Sequence, residues 1–350
     1  MHSTRSNLLS DPTSLPANDP LSPQSDPPIQ LSAKSGPSTL YKIFFGQDGL
    51  RAGWGLLIFI VLMFAFLSGM TAFLKFTHLA PKPNPAQSEI GPTFGFYAEF
   101  LPFLITLLVT WIMSKIEKRP NGVYGLGGQR PLSYFFAGLA WGVTCLSLLI
   151  FTLWKTSLLV FDARLLSSTV ALHYALIWLF GFLMVGLLEE YLTRGYLLFT
   201  LTRGLAGIYA RLFKTPHSKA LGFWTAAVIL SVLFGLGHRK NPGESPIGLL
   251  SAGLASLVFC LSLWRTGSLW WAIGFHTSWD WAQSFLYGVA DSGLMVEHHL
   301  VATHAVGKPL MSGGTTGPEG SVFVLPILAI VCLIIIFTLP RTNYGDTASA

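Results

Sequence analysis

The chain has 350 residues, 51% of them hydrophobic and only 11% charged, with a mean hydropathy of +0.55. A soluble domain carries about 25% charged residues, so that class is excluded. The formal net charge of +6 does not signal nucleic acid, because the basic residues form no patch and lie between apolar runs, as juxtamembrane Lys and Arg do. The expected fold is all-α, a polytopic membrane protein of about eight transmembrane helices.

Residues 1–45 are rich in Ser, Pro, Asp and Asn and poor in aromatics. They cannot bury enough apolar surface to offset their ordering entropy, so a disordered tail is expected. They contain no apolar signal-peptide core, which leaves the first apolar run as the insertion signal. Three runs, each long enough to cross a hydrocarbon core, fill residues 46–165: Ala52 to Leu74, Phe94 to Ser114 and Leu132 to Trp154. Glu99, near the start of the second, is expected at the interface. In the third, Gly138 and Gly142 are spaced as GxxxG, which permits close helix approach.

The stretch 166–288 is richer in chemistry. A fourth run, Leu165 to Leu188, holds no charge and ends at Glu189 and Glu190. After Arg203 comes a connector with Arg211, Lys214, Pro216 and Lys219. The next runs are Leu221 to His238, Ile247 to Trp264 and Leu269 to Gly288. Residues 289–320 read as a loop, and 321–340 contain the last run, Val322 to Leu339. Eight crossings put both ends on one side. With the ends in the cytoplasm, fifteen Lys and Arg fall inside against seven outside, so cytoplasmic termini in the cell's inner membrane are expected.

Carboxylates are costly at membrane depth and tend to face a bundle interior or a watery cavity. Here they recur at helical spacing. Glu190 and Arg194 are an i,i+4 pair, with Glu189 rotated about 100° away. Phe234 and His238 are four apart, as are His276 and Asp280. Each such pair falls on one helix face, so three helices can aim Glu189, Glu190, Arg194, His238, His276 and Asp280 into one cavity.

That set contains what peptide hydrolysis needs: a base to take a proton from water and donors for the developing oxyanion. On this reading Glu190 pairs structurally with Arg194, and Glu189, with His238, polarises the water. Glu189, His238 and His276 also have the composition of a His₂Glu zinc set with an open position. There is no HExxH to support a metal independently. The cofactor therefore stays open between Zn²⁺ and none.

The three motifs resemble those of the CPBP intramembrane proteases, which include the type II CAAX prenyl endopeptidases and bacteriocin-immunity relatives. The family pattern of EExxxR, FxxxH and HxxxN/D reads here as Glu189-Glu190 to Arg194, Phe234 to His238, and His276 to Asp280. The flanks Arg194-Gly195-Tyr196 and Arg265-Thr-Gly-Ser-Leu-Trp270 agree. The resemblance spans about residues 175–288. It implies a membrane-embedded endopeptidase in which Glu189 and His238 activate water, and His276 and Asp280 bind the oxyanion or orient the site. An ionised Asp280 only accepts hydrogen bonds, which suits orienting His276 better than meeting an oxyanion. The implied partners are membrane lipid and a protein or peptide substrate, lipidated or not.

Each signal also has a plainer reading. A Glu–Arg pair on a membrane helix is commonly structural, His238 beside Arg239 and Lys240 fits an interface, and Phe234 reads as packing. His173 has no partner motif. His298, His299 and His304 sit in a loop and read as solvated. An immunity or scaffold protein is the alternative from another class, and a proton-coupled transporter a third, without the inverted repeats of such transporters. One consequence is geometric. His276 lies about 10 Å along its helix from the 264–269 turn, at the opposite end from His238, so the 239–246 turn is expected to line the cavity.

Overall fold

The structure is a computed structural model and describes residues 39–46, 48–79 and 89–341. Of the expected tail, residues 1–38 lie outside the described residues, and Thr39–Phe44 form a short helix. Contacts divide the chain into Met1–Lys42 and Ile43–Ala350. The second unit, an all-α polytopic membrane fold, holds every element discussed below.

Among the described residues, six helices are long and apolar enough to cross a membrane: α1 (Ala52–Phe76), α2 (Pro92–Glu117), α3 (Pro131–Lys155), α4 (Ser168–Phe213), α5 (Ser218–Lys240, closing in a 3₁₀ turn from His238) and α6 (Pro246–Thr266). A shorter apolar helix, α8 (Val324–Thr338), and the short α7 (Trp270–Trp281, continued by a π turn, Ala282–Leu286) pack with them. Prolines open α2, α3 and α6, where a missing N–H costs nothing. Ser245 caps α6 by accepting from the Gly248 N–H at 3.0 Å.

The fourth apolar run does not stop at the glutamates. Helix α4 passes through them by a π turn, Tyr191–Leu197, and continues to Phe213 for 46 residues in all. Burial explains this, because Tyr196, Leu198 and Phe199 beyond Arg194 lie in the core. Arg203, after which the sequence reading places the connector, reaches the Asp48 carbonyl (3.2 Å) and Glu117 (3.6 Å). The connector shrinks to residues 214–217.

Two loop clusters mark the ends of the bundle. At one end Arg119 also reaches the Asp48 carbonyl, Leu269 N–H donates to Gly125, and Arg265 donates to Leu339. Both ends of the described membrane unit lie there. At the other end Glu89–Ile90 pairs in parallel with Met295–Val296, and Leu159–Arg164 pairs antiparallel with Val301–Ala305. The 289–320 segment, expected as a loop, is thus pinned by two small sheets, and Thr315 and Thr316 tie it to the Gly243 carbonyl.

Close crossings bring the chemistry together. A Cβ on Gly138 or Gly142 would run into the α7 backbone at Trp271 or Phe275, so the GxxxG of α3 is the seat of α7. On α4, a Cβ on Gly186 would stand 2.9 Å from Thr277 Oγ1 and 3.2 Å from the Ile273 carbonyl. That approach, one turn before Glu190, carries α4 to within reach of His276.

Candidate active site

Arg194 is the hub of the polar interior. Its Nη1 donates to Glu190 Oε1 at 2.6 Å, and its Nε donates to the Ser256 carbonyl at 3.3 Å. The guanidinium lies over the rings of Phe234 (4.8 Å) and Phe259 (5.3 Å). Arg194 therefore joins α4 to α5 and α6, and Phe234 is more than packing. Glu190 is fully buried, and the same Oε1 accepts from His276 Nδ1 at 2.9 Å.

Glu189 has a different environment. Its side chain keeps 28% exposure, and Oε2 lies 3.7 Å from His276 Nε2. Asp280 Oδ2 approaches the same nitrogen at 3.4 Å. His238 Nδ1 lies 2.9 Å from the Phe234 carbonyl. A carbonyl can only accept, so Nδ1 carries the proton and Nε2 of the neutral ring keeps a lone pair.

Glu189, His238, His276 and Asp280 line one cavity of about 200 Å³. Helix α4 contributes Trp178, Phe182, Val185 and Glu189, spaced by three or four residues, so one stripe of the helix faces it. Helix α7 contributes His276, Asp280 and Ser284 at i, i+4 and i+8. The 239–246 turn reaches the wall through Asn241. Of the six residues singled out from sequence, five form a contact network and His238 joins them across the cavity.

Several lining residues escaped the sequence reading. Glu99, expected at the interface, lines the cavity on the α2 wall. Its signal was present, since Gly95 and Glu99 are four apart in an apolar run. Asp291, Ser292 and Glu319 enter from the 289–320 segment, which has no periodicity to betray them. Glu319 is held by Trp279 Nε1 (2.8 Å) and Ser292 Oγ (3.1 Å). Burial, reinforced by the carboxylates of Asp280 and Glu319, pushes the Asp291 carboxyl well above the usual carboxylate range. His299, expected solvated, is buried with Nδ1 2.9 Å from the Val296 carbonyl. His298 stacks on Tyr174 and His304 pairs with Asp162.

The zinc set does not fit. His276 turns Nδ1 to Glu190 at 2.9 Å, while Asp280 and Glu189 stand 3.4 and 3.7 Å from Nε2. Among the described residues no group of three or more His, Cys, Asp and Glu side chains is disposed to hold a metal ion.

Residues 171–282 match the family model of Rce1-like type II CAAX prenyl endopeptidases. The chain carries an Rce1-like domain. That match covers all three motifs and a little under a third of the chain. Comparison with curated proteins and with solved structures finds no match. The Rce1-like domain begins near the start of α4 and ends in the π turn after α7, so it supplies the side of the cavity that carries Glu189, His238, His276 and Asp280. Helix α2, with Glu99, and the 289–320 segment lie outside it.

The flanking residues of the Rce1-like motifs have structural roles. Tyr196 donates to Glu117 Oε1 at 2.7 Å. Gly267 ends α6 in the left-handed region at φ +66°. Trp270 Nε1 donates to the Leu126 carbonyl at 3.0 Å.

Proposed function

We propose that this chain is a membrane-embedded endopeptidase in which Glu189 and His238 activate the attacking water. The observation that carries this reading is the unequal position of the two glutamates. Glu190 is spent on Arg194 and His276, whereas Glu189 faces the cavity shared with His238. A carboxylate exposed to water in an otherwise enclosed site is placed to act as a general base.

In this mechanism the Glu189 carboxylate takes a proton from a water whose other hydrogen is held by His238 Nε2. The water oxygen bonds to the scissile carbonyl carbon. The oxygen that becomes negative receives a hydrogen bond from the Nε2–H of His276, which Glu190 and Asp280 keep oriented. Collapse breaks the C–N bond, and Glu189 returns its proton to the departing amine. The products are a carboxylate and an amine. No step passes through a metal ion.

The test compares peptide termini across the membrane proteomes of cells carrying the wild-type chain, Glu189→Gln or His238→Ala, each inserted at equal level. Wild-type cells should show cleaved termini that both variants lack. A phenotype and a terminus set surviving both substitutions would favour the scaffold or immunity reading.

A further inference from the structure

The cavity is far more acidic than water activation requires. Five carboxylates line it (Glu99, Glu189, Asp280, Asp291 and Glu319) against two imidazoles, and no Lys or Arg side chain is among its lining residues. Three of these, Asp280, Asp291 and Glu319, gather beyond His276 on the side of the 289–320 segment. The hydrolytic mechanism uses Asp280 only to orient His276, and Asp291 and Glu319 not at all.

A second observation comes from a neutral group. Ser284 is fully buried, lines the cavity, and its hydroxyl has no hydrogen-bond partner among the described residues. A buried hydroxyl left unsatisfied costs about 1–3 kcal/mol, so its natural complement is a ligand that brings a donor. It sits in the π turn that extends α7, and such insertions recur at functional sites.

The geometry points to a subsite in which Asp280, Asp291 and Glu319, with the Ser284 hydroxyl, receive the Lys or Arg side chain of a peptide substrate. A divalent cation is not the complement, since no such group is spaced to hold a metal ion among the described residues. A primary ammonium or guanidinium carries three to five donors on a longer reach and suits acceptors that stand apart. Burial first, and then the neighbouring Asp280 and Glu319 carboxylates, displace Asp291 towards its protonated form, with His276 opposing them.

The subsite also has a position along the peptide. Asp280 is one turn beyond His276, about 6 Å along α7, which equals about two residues of extended chain. The basic residue therefore lies within two residues of the scissile bond. Trp178, Phe182 and Val185 on the facing wall of α4 take apolar neighbours. Placement relative to the scissile bond rests on the endopeptidase reading, whereas the preference for a cation does not.

The experiment therefore reads binding and cleavage separately. Acetylated and amidated apolar peptides with one Lys, norleucine or Glu at a scanned position are titrated onto the full-length protein in nanodiscs, using Glu189→Gln for binding and wild type for cleavage. The Lys peptide should bind at least tenfold more tightly than the norleucine peptide, and the Glu peptide most weakly. Adding Asp291→Asn and Glu319→Gln should bring Lys to within threefold of norleucine while the norleucine affinity is kept, which also reports that the fold is intact. Should that double variant not fold, raised salt must erode the Lys preference in the parent protein. Equal binding of Lys and norleucine, or a Lys preference that survives the double variant or, where that variant does not fold, raised salt, overturns the subsite. Charge-selective binding without cleavage by wild type would contradict the endopeptidase reading alone.

Discussion

Nδ1 of His276 lies 2.9 Å from Oε1 of Glu190, across 86 residues of sequence and the crossing of α4 with α7. This contact gives Glu190 two duties, since the same oxygen holds Arg194. Removing one partner of a buried pair leaves an uncompensated charge and costs about 3–5 kcal/mol. Glu190→Gln and Arg194→Met should each lower the thermal midpoint of the purified protein by several degrees and abolish turnover with it. Near-native melting with either substitution would show that the pair does not hold the bundle together.

Asp291 sets a pH dependence of stability. Burial, then Asp280 and Glu319, raise its carboxyl in the folded protein, and only His276 opposes them by charge. The unfolded chain releases this proton near pH ~3.9. The stabilisation from holding it is complete below that pH and is lost as the pH rises through the folded value. Asp291→Asn should leave the melting temperature unchanged near pH 4 and raise it progressively towards pH 8. A variant that melts lower than wild type at pH 8 would contradict this.

The metal-free route predicts behaviour towards chelators. Cleavage by the purified protein should survive chelation, and zinc analysis should show well under one ion per chain. Loss of activity that only zinc restores would return Glu189, His238 and His276 to the role of ligands.

Topology follows from joining charge bias to the loop clusters. The Lys and Arg bias predicts both ends in the cytoplasm, and the cavity is capped at the opposite end by residues such as Ser292 and Val296. A cysteine at Ser292 should then be modified by a membrane-impermeant thiol reagent added outside. Modification only after the cytoplasmic face is opened would reverse the orientation.

Much of this was legible before any coordinates. Apolar runs fall within a few residues of α1, α2, α3 and α6, because a bilayer-length stretch without charge has few alternatives. Glu190 with Arg194 could be read from i,i+4 spacing, and the Gly138/Gly142 crossing from small residues one turn apart. What failed did so for physical reasons. The continuation of α4 past the glutamates was missed because Glu117 and Asp48, the partners of Arg203, are distant in sequence. Asp291 and Glu319 reach the cavity through strand pairing of Met295–Val296 and Val301–Ala305, a long-range relation with no local periodicity. His299 was misread for the same cause.

The division of labour between the adjacent glutamates is tested most directly with Glu189→Gln, purified in nanodiscs and measured for thermal midpoint and turnover side by side with wild type. A midpoint within about 2 °C of wild type, no more than about 1 kcal/mol moves it in a chain of this size, should accompany turnover reduced at least a thousandfold. Retained turnover in a normally folded Glu189→Gln protein would contradict the assignment of this carboxylate as the base.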